Sequence, residues 1–103
     1  MEREIPLESC AELESIVVRT RNSVYELIVL SANNGDVMLR GGELFPEFCP
    51  ATIQGATIGS SLGKLRAICV GMHMAFHVKG EPFLTTRVQA VSRHRAHANQ
   101  NAA

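Results

Sequence analysis

Apolar and polar positions alternate along most of this chain instead of recurring at every third or fourth residue, and that period predicts strands. The strongest run puts Ile68, Val70, Met72, Met74, Phe76 and Val78 on one face and Ala67, Cys69, Gly71, His73, Ala75, His77 and Lys79 on the other, the mark of a half-buried strand. Ser15 to Ser31 is dense in β-branched residues and interrupted at Arg21-Asn22-Ser23, which reads as two strands joined by a bend. In the second of these, Val24, Glu26, Ile28 and Leu30 alternate with Tyr25, Leu27 and Val29. Apolar residues on both faces predict cover from two sides, and a subunit contact over Tyr25, Leu27 and Val29 would supply one of them.

Turn chemistry divides the remainder. Asn33-Asn34-Gly35-Asp36 before Val37-Met38-Leu39-Arg40 predicts a tight antiparallel hairpin, because Asn and Gly tolerate the positive φ such turns require. Gly41-Gly42 breaks the pattern, and the two prolines between Glu43 and Pro50 predict a packed loop in place of a central strand. Phe45 and Phe48 anchor that loop and join the candidate contact surface. Ala51 to Ile58 reads as a strand bent at Gly55, followed by a glycine-rich loop from Gly59 to Gly63. Past Gly80-Glu81-Pro82, Phe83 to Val91 supplies a last strand whose less polar set is Leu84, Thr86, Val88 and Ala90. Helical spacing occurs only in Leu7, Cys10, Leu13 and Val17, the basis for a short N-terminal helix.

The expected fold is mainly β: a small, strongly twisted antiparallel barrel or sandwich of about six strands. It occupies one domain over residues 1–92, with a flexible polar tail over 93–103. Strand count and rhythm resemble those of small SH3-like or PilZ-like barrels, a likeness of architecture that assigns no activity.

At 103 residues the chain is one modest domain. Its opening, Met-Glu-Arg-Glu-Ile-Pro-Leu-Glu, lacks the apolar run of a secretory signal, so a cytoplasmic protein is expected. Cys10, Cys49 and Cys69 are odd in number and widely spaced, which favours thiols over a disulfide framework. Ten acids balance ten bases, yet residues 1–14 hold five acids and one base while residues 87–103 hold three bases and no acid. Such a gradient keeps the ends solvated or orients subunits.

Candidate chemistry is sparse. Gly59-Ser-Ser-Leu-Gly63-Lys64 has one residue too few between its glycines for a phosphate loop, and Leu65 stands where the magnesium-binding hydroxyl belongs. His73 and His77 share a strand face but lie roughly 13 Å apart in extended chain, too far to ligate one ion. Cys69 and His73 have the same difficulty as a nucleophile pair, and Asp36 serves its turn. His94 and His97 in the tail lack a fixed third ligand. No motif implies a cofactor. The leading expectation is a non-catalytic binding or scaffold domain acting through self-association or protein contacts, with Tyr25, Leu27, Val29, Phe45 and Phe48 as the contact residues. The alternatives are a small-barrel nucleic-acid binder that uses Lys64, Arg66, Arg87, Arg93 and Arg95 on phosphates, and a small hydrolase or metal-binding protein.

Overall fold

Where the alternating pattern runs, the backbone is extended, and turns fall at most of the glycine-rich breaks. The computed structural model describes residues 2–94, so Arg95, His97 and the remainder of the expected tail lie outside the described residues. The strands are β1 (Glu4–Pro6), β2 (Ser15–Thr20), β3 (Val24–Ser31), β4 (Asp36–Gly41), β5 (Phe45–Ile58), β6 (Ser61–Leu65), β7 (Ala67–Cys69), β8 (His73–Val78) and β9 (Glu81–His94). All pairings are antiparallel.

Six strands form a ring of hydrogen-bonded neighbours: β2 pairs with β3, β3 with β4, β4 with β5, β5 with β8, β8 with β9, and β9 with β2 again. Closure removes the free edges that a short sheet would otherwise expose. The 14-residue β5 and β9 make it possible. On one side, β5 passes from β4 to β6 along its length, and β9 passes from β8 to β2. Inside the ring lie Ile16, Val18, Leu27, Val29, Val37, Leu39, Ile53, Met74, Phe76 and Val88, none more than 2% exposed.

The two ends are closed differently. Tyr25, Phe45, Phe76 and Phe83 gather at one end, with Phe45 edge-on to Phe83 at 5.1 Å and Phe76 stacked on Phe83 at 5.5 Å. At the other end of β3 and β9, an N-terminal strap crosses the opening. Its β1 pairs with β7, and its Ile5 and Leu7 are fully buried, each contributing roughly 1.5–3 kcal/mol of burial. Two ion pairs fasten the strap: Arg93 Nε to Glu2 at 2.7 Å and Lys64 to Glu4 at 3.3 Å. Thus the acidic start of the chain meets its basic residues within one molecule.

Several local expectations change. The predicted N-terminal helix is a single 3-10 turn over Leu7–Ser9; Leu13 adopts φ 68°, which no helix continues through, and is 57% exposed. The predicted loop at Glu43–Pro50 is the first half of β5. That half pairs with β4 alone, and both prolines are exposed along it, so a missing N–H costs no second ladder. The long alternating run divides into β7 and β8 around Val70-Gly71-Met72, where Gly71 takes φ 91°. The Gly59–Gly63 loop is instead a hairpin turn entering β6. Strand β9 runs through Arg93 and His94, past the domain boundary expected at residue 92. Among the described residues no helix is long and apolar enough to cross a membrane.

Candidate functional site

The five residues expected to form one contact surface do not share a face. Leu27 and Val29 are 0% and 1% exposed within this single chain: the cover that β3 requires on its second side comes from the closed ring, not from a subunit. Tyr25 and Phe45 are half-buried members of the aromatic cluster. Phe48 lies on the outer face beneath the Arg40 guanidinium, 4.5 Å from its ring centre, while Arg40 also pairs with Glu26.

The candidate phosphate contacts are likewise dispersed or engaged. Arg93 donates from Nε and Nη2 to the two Glu2 oxygens and from Nη1 and Nη2 to Ser9. The Glu2 hydrogen bonds hold the guanidinium pKa above its ordinary value. Lys64 donates to Glu4, and Arg87 to the Gly71 carbonyl. Arg66 occupies the turn between β6 and β7 at φ 48°; together with Lys64 it lines a hollow of about 440 Å³ that also contains Glu4 and Glu8, so acids and bases are matched there.

Histidine and cysteine are separated in the same way. His73 Nδ1 donates to the Thr85 carbonyl at 2.8 Å, a direction fixed because a carbonyl only accepts. Cys69 and His73 fall on different strands, β7 and β8. Burial pushes the Cys69 thiol pKa up, as it does that of Cys10, which disfavours the reactive thiolate. The register aligns Asp36, Thr52 and His77 on β4, β5 and β8, beside Lys79, around a hollow of about 610 Å³. Thr52 donates its hydroxyl proton to Asp36 Oδ1 at 3.3 Å, so the histidine does not take that proton and the hydroxyl is not activated as a nucleophile. Among the described residues no three His, Cys, Asp or Glu side chains converge as a metal would require.

A different surface stands out, and it arises from two bulges. On β6, Ala56 pairs with Lys64 and Thr57 with Leu62, leaving Gly63 without a partner. The extra residue puts Leu62 and Leu65, three positions apart, on the same face. On β9 the register slips between His73–Arg87 and Ala75–Leu84, which sends Leu84 outward. Cross-strand pairing then lines up Leu65, Gly55, Ala75 and Leu84 across β6, β5, β8 and β9. Leu62, Leu65 and Leu84 are 48%, 58% and 54% exposed.

Between Leu62 and Leu84 lies a shallow groove of about 250 Å³, with Leu62 on one wall and Pro82, Phe83 and Leu84 on the other. Ala75 faces away from the core yet is only 7% exposed, lying at the groove's floor next to Gly55. A Cβ at Gly55 would collide with the Lys64 carbonyl oxygen and crowd Leu62, so glycine is what lets β6 approach. The polar lining, Gln54, Thr57 and Ser60, is uncharged, whereas three other hollows among the described residues each contain charged side chains. The chain matches no protein-family model, no curated protein sequence and no solved structure.

Proposed function

We propose that this chain is a non-catalytic, cytoplasmic protein-binding or scaffold domain whose contact surface is the uncharged groove spanning β6, β5, β8 and β9. The observation that carries this reading is the pair of exposed leucines, Leu62 and Leu84, on opposite sides of a groove that Ala75 also lines. A core that already closes on itself has no folding need for them, and apolar side chains clustered around an uncharged groove mark contact sites. Pairing of Arg93 and Lys64 with Glu2 and Glu4 favours this reading over phosphate binding, because each base would first have to leave a carboxylate. Three free thiols, two of them buried, fit a reducing compartment.

The test is the double substitution Leu62→Glu with Leu84→Glu. If the leucines serve contact and not folding, unfolding free energy changes by no more than about 0.5 kcal/mol, while binding of a neutral apolar dye to the native protein is lost. A loss of about 2 kcal/mol or more, or unchanged dye binding, would make them packing residues of the fold and sink the proposal.

A further inference from the structure

We infer that the hollow between β4, β5 and the β8–β9 turn is a binding site for a free amino acid with an apolar side chain, its ammonium on Asp36 and its carboxylate on Lys79 and His77. The site shares no lining residue with the groove above and does not depend on that reading. It exists because the two neighbours of β5 cover different lengths of it. Strand β4 follows β5 from Phe45 to Thr52, whereas β8 meets it only from Thr52 onward and then turns away through Lys79-Gly80 to β9. That early turn leaves a space of about 610 Å³ beside Pro50 and Thr52.

Opposite charges face this space without meeting. In the two hollows beside the strap, Lys64 is on Glu4 and Arg93 on Glu2. Among the described residues no such ion pair joins Asp36 to Lys79 or His77. Asp36 is held by Thr52 through Oδ1 alone, which leaves Oδ2 for an incoming donor. Register sets the gap. Thr52 pairs with Asp36 on one side and His77 on the other, so the three project from one face and the outer two stand two strand spacings, roughly 10 Å, apart. With a hydrogen bond of about 3 Å at each end, the ligand must itself hold a cation and an anion about 4 Å apart. An amino acid does so across one carbon atom. A lone anion would meet the Asp36 carboxylate and a lone cation the Lys79 ammonium, so the charge pattern selects a molecule that carries both.

The rest of the lining chooses the side chain. Leu30, 39% exposed, and the exposed Pro50 are apolar walls, which suit a hydrocarbon better than a charged or polar group. Lys79 is fixed at the rim by its turn. It adopts φ 53° and Gly80 φ 80°, a two-residue hairpin loop in which asparagine or glycine is the favoured first residue. A lysine gains nothing for that turn; what it adds is a cation.

Amide chemical shifts of the full chain, titrated with L-leucine near neutral pH, test the assignment. The expected dissociation constant is of order 0.1 to 1 mM for so small a ligand, with shifts centred on Thr52, His77 and Gly80. Removing either charge from the probe, as isocaproate or isoamylamine, is expected to weaken binding at least tenfold, and glycine is expected to bind more weakly than leucine. Asp36→Asn keeps an acceptor for Thr52, and Lys79→Asn puts a favoured residue in the turn, so each removes one charge and preserves the fold. Each is expected to lose at least tenfold in affinity with an unchanged circular dichroism spectrum. No shift at about 10 mM leucine, binding unaltered by the two substitutions, or either single-charge analogue binding as tightly as leucine overturns the inference. Glycine binding as tightly as leucine overturns the choice of an apolar side chain.

Discussion

Thr85 is where the β9 bulge is made, and replacing it should reveal what the bulge is worth. Register passes from His73–Arg87 to Ala75–Leu84, so Met74 has no partner on β9. Its N–H instead donates to Thr85 Oγ1 at 3.0 Å, and that hydroxyl donates onward to the Thr86 carbonyl at 2.6 Å. Met74 is fully buried and Thr85 is 6% exposed. Thr85→Val keeps the shape and deletes both bonds, orphaning a buried N–H at a cost of about 1–3 kcal/mol. For a domain of this size about 2 kcal/mol corresponds to a melting temperature lower by roughly 8–16 °C. Thr85→Ser keeps the hydroxyl and loses one methyl, costing about 0.8 kcal/mol. Urea titration of both variants, with unchanged slope, gives the comparison. If the valine variant is as stable as the serine variant or more so, the hydroxyl does not replace the missing ladder bond and the account of the bulge is wrong.

The strap and the buried thiols yield two further expectations. Glu2→Gln and Arg93→Gln should each lower stability by about 1 kcal/mol, since the pair is bidentate but partly exposed; a double-mutant cycle should find coupling that shrinks in high salt, and additive losses would show that the clasp contributes nothing. Burial raises the Cys10 and Cys69 thiol pKa values above the ordinary 9.0. The unfolded chain therefore releases these protons first, so their contribution is complete below pH 9 and declines as pH rises through the folded values. Denaturant unfolding between pH 7 and 10.5 should show this alkaline loss flattened in Cys10→Ala with Cys69→Ala, and an unflattened slope would assign it to other groups.

Strand content was legible because alternation and turn chemistry are local. The bend at Arg21–Ser23 and the Asn33–Gly35 hairpin are where the turn residues put them, and Leu27 and Val29 on one face of β3 are core. What the residues of β3 do not encode is the identity of the cover on that face. A closed ring and a dimer bury Leu27 and Val29 equally well, and only long-range pairing of β4 with β5, through a proline-bearing segment, decides between them. The N-terminal helix failed for a related reason: the spacing of Leu7 and Cys10 is satisfied by one 3-10 turn, closed by the Cys10 N–H on the Leu7 carbonyl, after the extended segment that pairs with β7, and needs no longer helix.

The groove was hidden more deeply, since it depends on bulges that reset the alternation. A strict two-residue period through β9 assigns Leu84, Thr86, Val88 and Ala90 to one face. The buried positions are Thr85, Val88 and Val91, three apart at each step, because register slips once against β8 and again against β2. One slip sends Leu84 outward, and the unpaired Gly63 brings Leu62 and Leu65 to a common face. Each shift is a single residue, and each reverses the face of every side chain beyond it. If the groove is a contact surface, its specificity therefore depends on Thr85 and Gly63 as much as on the leucines: Thr85→Val should loosen the orientation of Leu84 and lower binding of the neutral apolar dye, even though residue 85 is inward and lies outside the groove lining.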